Sequence, residues 1–304
     1  MKQISGHWQS TMFGMLGVLG FSLTLPATKI AIKDFEPSFV GLGRAIIAAF
    51  IAGLVLLISR SPKPVGLQWL RLIAIALGIV IGFPLLTSLA MKTVPAAHGA
   101  VVIGLLPLST ALFGALLAGE RPRPLFWVST FIGSLTIVLF SLESGSGTFQ
   151  FADVLLFGAV LSAGFGYAEG ARLSKTLGSW QTISWALVIS APLLVFPVYQ
   201  VFPDNLSSIH WQSFLGFTYV SVVSMFLAFI FWYKGLSLGG IAKIGQLQLL
   251  QPFLTIFAAS LILNELITTK EIIAALIVIS CVIIGRKASA LQIKKTASKV
   301  YLLF

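Results

Sequence analysis

Residues 96–118 read AAHGAVVIGLLPLSTALFGALLA, a run of 23 residues without Asp, Glu, Lys or Arg. An α-helix of that length spans about 30 Å of hydrocarbon, because each residue adds about 1.5 Å. Pro95 precedes the run and Gly119-Glu120-Arg121 follows it, as expected at helix ends. The stretch predicts a transmembrane helix that is kinked at Pro107, because proline cannot donate to the helix hydrogen-bond ladder.

Similar runs fill the rest of the chain. The 304 residues are 57% hydrophobic and only 10% charged, and the mean hydropathy is +0.99. Soluble domains have about a quarter of their residues charged, so the composition predicts a polytopic, all-α membrane protein. Ten spans fit, near residues 11–31, 38–59, 68–91, 96–118, 124–142, 151–172, 181–201, 211–233, 240–263 and 268–286. Their short connections leave no room for a soluble domain.

The basic residues between the spans and near their ends divide unequally between the two sides of this topology. If the N-terminus is cytoplasmic, only Lys29, Lys33, Lys92 and Lys270 lie outside. Fourteen lie inside: Lys2, Arg60, Lys63, Arg71, Arg121, Arg123, Arg172, Lys175, Lys234, Arg286, Lys287, Lys294, Lys295 and Lys299. Since Lys and Arg are retained in the cytoplasm during insertion, we predict an inner-membrane protein with both termini cytoplasmic. The net charge of +11 therefore indicates topology and gives no reason to expect a nucleic-acid partner.

The chain also carries signs of an internal duplication. An offset of 145 residues aligns Pro107 with Pro252 and Glu120 with Glu265, and the flexible stretch 143–148, ESGSGT, lies between the copies. We predict repeats at 1–145 and 146–290, followed by a basic cytoplasmic tail at 291–304. Five spans per repeat is an odd number, so the two copies must insert in opposite orientations, as the inverted repeats of many transporters do.

Specific residues give the chain a family resemblance. They are Lys29, Arg44, the block from 96–100 through Pro107 to 119–121, and the block from Gly240 through Pro252 to Asn264-Glu265. With these features residues 11–287 resemble the EamA family of the drug/metabolite transporter superfamily. Phe21-Ser22 stands where the family usually has Trp-Gly, and Asn264-Glu265 replaces a second Gly-Glu. The resemblance implies a secondary transporter that moves amino acids, drugs or other metabolites, with efflux favoured, through a central cavity.

Glu169, Arg44 and His98 lie within predicted spans, where a charged or titratable side chain needs a partner or a water-filled cavity. Glu169 is a candidate proton or charge relay, although a local pair with Arg172 explains it equally well. Arg44 either anchors a carboxylate or forms a structural clamp with Glu36 or another acid. His98 is a candidate proton relay, and its simpler interpretation is a satisfied interfacial residue.

Polar and aromatic residues of the second half are the candidates for the cavity wall. Lys243, Gln246 and Gln251 form a polar stripe on span nine, and Tyr167, Trp232 and Tyr233 would add aromatic surface. The aligned prolines, Pro107 and Pro252, are candidate hinges for alternating access, with passive kinking as the alternative.

The sequence gives little support for an enzyme or a metal-binding protein. The three histidines are far apart in sequence and Cys281 is the only cysteine, so neither a metal site nor a cofactor is predicted. An enzyme is not expected. The predicted partners are a small-molecule solute and the lipid bilayer, with protons as a candidate coupling ion, and no oligomeric state is indicated. An uptake permease, or a non-transporting sensor or assembly subunit of the same fold, remains the alternative.

Overall fold

The computed structural model of the chain describes residues 2–118, 124–144, 150–239, 241–281 and 283–284. Within these ranges the regular structure is entirely helical. Seven of the described helices are long and apolar enough to cross a bilayer: Trp8–Ala31, Pro37–Ile58, Gln68–Ala90, Ala96–Leu117, Phe151–Leu177, Ser179–Gln200 and Trp211–Gly239. They coincide with predicted spans one to four and six to eight. The prediction of an all-helical, multi-pass membrane protein is therefore confirmed.

The first half contains eight α-helical segments among the described residues. They are α1 (Lys2–Ser22), α2 (Thr24–Ala31), α3 (Pro37–Ile58), α4 (Gln68–Ile75), α5 (Phe83–Ala90), α6 (Ala96–Ile103), α7 (Leu106–Ala118) and α8 (Pro124–Ser144). Sequence chemistry fixes the start of α3, where Pro37 occupies the first turn and the Glu36 carboxylate accepts from the N–H groups of Ser38 (2.6 Å) and Phe39 (3.1 Å).

The second half is also helical in its described residues. Its described helices are α9 (Phe151–Leu177), α10 (Ser179–Gln200), α11 (Trp211–Thr218), α12 (Ala228–Gly239), α13 (Ile241–Gly245), α14 (Gln251–Leu263) and α15 (269–281). A capping box formed by Gln150 and Asp153 starts α9. Gly178, with φ of +101°, separates α9 from α10, and this left-handed conformation favours glycine.

Spans three and eight each contain a π-helical segment. In span three the segment is Ala76–Gly82, between α4 and α5, and Pro84 follows it. In span eight it is Tyr219–Leu227, between α11 and α12. Moving the first segment by 145 residues gives 221–227, which falls inside the second. π-Helical turns are rare in proteins, and those that occur often lie at functional sites.

Spans four and nine are interrupted at matching places too. The helix stops at Ile103 and restarts at Leu106, whereas α13 and α14 are joined by the 3₁₀ turn Gln246–Leu250. Pro107 and Pro252 are each the second residue after the interruption, where proline is compatible with a helix start. The two interruptions also meet, because a methyl group added at Gly104 would lie 3.3 Å from Pro252 Cγ.

Helices of one half pack against helices of the other. Span one (α1 and α2) lies along span eight, span three lies along α9, and α3 packs on α10. The contact of α1 with α12 is close, since a Cβ at Gly235 would lie 2.7 Å from the Gly14 nitrogen. The described connections alternate between two ends of the bundle, and those at the same end contact one another or their neighbouring helix ends. The basic end is defined here by the described residues Arg60, Lys63, Arg71, Arg172, Lys175 and Lys234, and the other is called the opposite end.

Candidate functional site

A narrow cavity with room for about one water molecule lies in the middle of the bundle, lined by helices of both halves. Its wall is formed by Phe21, Thr24, Leu25, Arg44, Ile79, Phe83, Pro84, Ile103, Tyr167, Ser224, Met225, Phe229 and Gln251. With a rise of 1.5 Å per residue, Arg44 and Ile103 lie about 10 Å from the helix starts at the opposite end. Tyr167 lies about 15 Å from the end of α9 at the basic end. The cavity is therefore at mid-depth, and both π-helical segments contribute to it.

Arg44 supplies the charge in this cavity. Its side chain is 1% exposed, and the guanidinium atoms Nε and Nη1 have no hydrogen-bond partner among the described residues. A charge at the centre of a bilayer costs about 2.5–3.5 kcal/mol on insertion scales, so an unpaired arginine here needs an explanation. The predicted clamp between Arg44 and Glu36 is wrong, because the Glu36 carboxylate caps α3 instead.

Smaller polar groups from both halves complete the wall. The hydroxyls of Thr24 and Ser224 share a hydrogen bond of 2.7 Å across the interface of the halves. Gln251, predicted to line the cavity, is there and is 7% exposed, and its Oε1 has no partner in the described structure. The wall therefore combines the Arg44 cation, the hydroxyls of Thr24 and Ser224 and the free acceptor of Gln251 with a mostly apolar and aromatic lining.

Aromatic rings close the cavity on the side of the basic end. Tyr167 and Phe229 line it, and Phe21 contacts both rings at centroid distances of 6.1 and 4.9 Å. Trp232 packs behind Tyr167, at 5.8 Å, and Tyr233 donates its hydroxyl to the Gly166 carbonyl at 3.2 Å. Trp232 and Tyr233 were both predicted to line the cavity. They form instead a fully buried layer behind its wall, because α12 packs tightly on α1 and α9.

The other two residues of the predicted polar stripe do not add to the described cavity wall. The side chains of Lys243 and Gln246 are outside the described residues. Gln248, one turn before Gln251, is 1% exposed, and both of its amide atoms lack partners in the described structure. Its amide is close to the Tyr167 hydroxyl without forming a hydrogen bond of good geometry. An uncommitted polar side chain therefore lies just behind the aromatic layer.

An ion-pair cluster lies between the aromatic layer and the basic end. Glu169 is paired with Arg71 of α4 and, at 3.1 Å, with Arg172 on its own helix. The sequence interpretation gave Glu169 a relay role, a pair with a cationic substrate or a local pair with Arg172, and it treated Arg71 solely as a topology marker. The cluster joins span three to span six, two elements that also line the cavity.

A second buried pair lies near the opposite end. His98 Nε2 and Asp153 Oδ1 are 2.8 Å apart, and both side chains are buried. The pair links α6 to α9, and the Phe140 ring covers the imidazole at 5.1 Å. His98 was considered as a relay or as an interfacial residue without an acidic partner, and the structure supplies that partner from the other half.

Backbone caps hold the opposite end together. Lys29 Nζ donates to the carbonyls of Met91 (2.7 Å) and Val94 (2.9 Å), just after α5. The Glu265 carboxylate accepts from the N–H groups of Ala96 and Ala97, both at 3.0 Å, at the start of α6. A cation at the end of one helix and an anion at the start of the next are stabilising placements. Glu120, which aligns with Glu265, lies outside the described residues.

Thr24, Ser224 and Arg71 are the site residues that sequence analysis missed. Hydroxyls are common in membrane helices and form local bonds to their own backbone, so Thr24 and Ser224 carry no distinctive signal. Arg71 could have been found, because an arginine that begins an apolar span in one half and a glutamate within a span of the other half both need partners.

These features define a class. Many apolar membrane-spanning helices around a mid-depth cavity that helices from both halves of the chain line are typical of a membrane transporter. The EamA-like transporter family model matches the chain twice, over residues 9–142 and 150–285. The chain belongs to this family, which confirms the resemblance seen in the sequence. Transporters of this family are not enzymes.

Named relatives agree with this assignment. The protein named uncharacterized transporter YdeK from Bacillus subtilis (strain 168) is 48% identical over 94% of this chain and 99% of its own length. A probable amino-acid metabolite efflux pump from Escherichia coli (strain K12) is 21% identical over 88% of this chain and 92% of its own. A solved structure titled only as a crystal structure of a protein has the same fold, with a TM-score of 0.64 at 18% identity, covering 94% and 98% of the two chains.

Proposed function

We propose that the protein is a secondary transporter that moves a small organic metabolite, such as an amino acid or a drug-like or amphipathic solute, by alternating access. The observation that carries this proposal is the mid-depth cavity, whose wall is supplied by both halves. A site shared in this way can face either side of the membrane when one half moves relative to the other.

The proposed topology has ten spans arranged as two inverted repeats, 1–145 and 146–290, in the inner membrane. The helices α8, α13–α14 and α15 occupy the ranges predicted for spans five, nine and ten. The matching π-helical segments and interruptions support the duplication. The clustering of Lys and Arg at the basic end supports placing that end, both termini and the tail 291–304 in the cytoplasm.

Each side of the cavity has a closure that would have to open in turn. On the side of the basic end it comprises the aromatic layer and the cluster of Arg71, Glu169 and Arg172. At the opposite end it comprises the caps made by Lys29 and Glu265. The interruptions before Pro107 and Pro252 leave backbone groups without helical partners, so we propose these places as the hinges.

Efflux and proton coupling are further parts of the proposal. Efflux is favoured because a relative over nearly the whole chain is named as a probable efflux pump. For proton coupling, we propose the buried pair of His98 and Asp153 and the buried Glu169 as relay groups.

Flux through purified protein in liposomes tests the proposal. Vesicles loaded with a mixture of radiolabelled amino acids should lose label faster than protein-free vesicles, and an imposed pH gradient should change the rate. A flux that is the same with and without the pH gradient would contradict proton coupling but would still support transport. If neither the amino acids nor a panel of amphipathic dyes crosses faster than in protein-free vesicles, the non-transporting sensor or assembly subunit is the better description.

A further inference from the structure

Two unsatisfied polar side chains from opposite halves face the same narrow cavity. The Nε and Nη1 atoms of Arg44 have no hydrogen-bond partner in the described structure, and neither has Oε1 of Gln251. Arg44 lies in α3 of the first half and is 1% exposed, and Gln251 begins α14 of the second half and is 7% exposed. Each half therefore contributes one buried polar group that the described protein leaves without a partner.

These two groups are complementary, yet they do not bond each other. A guanidinium group only donates hydrogen bonds, and an amide oxygen only accepts them. Since the facing atoms of Arg44 and Gln251 are both unpaired, a gap separates the donors from the acceptor. The hydroxyls of Thr24 and Ser224 line the same cavity but are bonded to each other at 2.7 Å. Polar groups that face each other across such a gap are commonly bridged by water.

The size of the cavity selects the same occupant. The cavity has room for about one water molecule, and a buried water is stable where it finds about two to four polar partners. Water can accept a hydrogen bond from Arg44 and donate one to Oε1 of Gln251, so a single molecule satisfies both side chains. No Asp or Glu lines the cavity in the described part of the chain, so no carboxylate takes the place of water beside the guanidinium group.

We infer that one ordered water molecule binds between Arg44 and Gln251 and bridges the two halves at mid-depth. Gln251 immediately precedes Pro252, so this water bridge holds the interrupted part of span nine, a proposed hinge, against α3. An organic metabolite fits only if the cavity widens, and widening breaks the bridge. The water bridge therefore stabilises the arrangement in which the cavity is closed. The water site does not depend on transport, whereas this role in closure rests on the proposed function.

A wild-type structure at a resolution that shows ordered waters tests the site directly. We expect one water within hydrogen-bond distance of a guanidinium nitrogen of Arg44 and of Oε1 of Gln251. A direct hydrogen bond between the two side chains, or a closed cavity without an ordered water, overturns the inference. This measurement uses the natural protein and does not depend on any variant folding.

A charge substitution tests the same site in solution. Gln251→Glu keeps the shape of the side chain and places an anion across the water from Arg44. We expect it to raise the unfolding temperature of the purified protein in detergent by about 2–4 °C, because a charge-assisted bond is stronger than a neutral one. Arg44→Met should turn this gain into a loss, because the buried carboxylate then has no counter-charge.

Gln248→Glu is the matched control for this substitution. Gln248 lies one turn before Gln251, is also buried and has an unpaired amide, but it does not line the cavity. Its replacement by glutamate buries a charge away from Arg44, so the unfolding temperature should fall. Equal losses for Gln248→Glu and Gln251→Glu overturn the inference.

Access to the cavity tests the role of the water bridge in closure. Ser224→Cys in a Cys281→Ser background reports access through its rate of reaction with a membrane-impermeant maleimide. Gln251→Leu cannot accept a hydrogen bond and should speed the reaction from either side by about 5-fold, the factor for one ordinary hydrogen bond. Gln251→Glu should slow it. Rates that neither variant changes overturn this role, and if the cysteine still reacts from both sides, the proposed function stands.

Discussion

Neutralising Glu169 should open the basic end of the transporter. The Glu169 side chain is 8% exposed, whereas its partners Arg71 and Arg172 are 24% and 37% exposed. Breaking a fully buried ion pair costs about 3–5 kcal/mol, and an exposed pair contributes about 0–1 kcal/mol. The Glu169 carboxylate is mostly buried and its arginine partners are partly exposed. Breaking their pairing should therefore cost a free energy between these limits, about 2 kcal/mol. Glu169→Gln should therefore raise the population open at the basic end by up to about 30-fold.

Labelling of a cavity cysteine measures this shift. Ser224→Cys in a Cys281→Ser background places a thiol in the cavity wall. Added Glu169→Gln should speed its reaction with a membrane-impermeant maleimide from the basic side and slow the reaction from the opposite side. Arg71→Gln on top of Glu169→Gln should add little, because both changes remove one interaction. An unchanged rate, or faster labelling from the opposite side only, would refute the assignment of this cluster as a closure.

Three further outcomes are expected from helix packing and capping. Gly235→Ala should lower the unfolding temperature, because its methyl group would meet the backbone of α1, whereas Gly114→Ala, whose methyl group meets nothing within 4 Å, should preserve or raise it. Glu265→Gln should lower stability by about 1 kcal/mol, measured by denaturation in detergent, since a neutral amide caps α6 less well than a carboxylate. At the opposite end, the Ser213 hydroxyl and the His210 backbone N–H lower the pKa of Asp34. Its contribution is present above the unfolded pKa of about 3.9 and lost as pH falls through the lower folded value, so Asp34→Asn should cost under about 1 kcal/mol at pH 7 and nothing at strongly acidic pH.

The lengths of the apolar runs predicted the positions of the helices, because a backbone in lipid must satisfy its hydrogen bonds within the protein. A stretch such as 96–118 cannot expose its backbone in hydrocarbon, so it must form a helix wherever it lies in the bundle. The alignment of Pro107 with Pro252 likewise anticipated interruptions at matching places in spans four and nine. The π-helical segments were not anticipated, because the residues of 76–82 and 219–227 are compatible with an ordinary α-helix and only packing selects the wider turn.

The site was less accessible from sequence than the fold. Arg44, Tyr167 and Gln251 stood out because polar or aromatic residues in apolar spans need a reason to be there. The sequence could show that Arg71 and Glu169 each need a partner, but their pairing with each other, 98 positions apart, depends on which spans touch. Trp232 was predicted to line the cavity but lies behind the cavity wall. The helical period predicts which residues share a face of a helix, and it does not tell which neighbouring helix covers that face.

Two-sided access to Ser224 is the most direct test of the central claim, that one cavity between the halves faces each side of the membrane in turn. In right-side-out and inside-out vesicles of the Cys281→Ser background, Ser224→Cys should react with an impermeant maleimide from either side. A transported solute should slow both reactions. Reaction from one side only, however long the exposure, would contradict alternating access through this cavity.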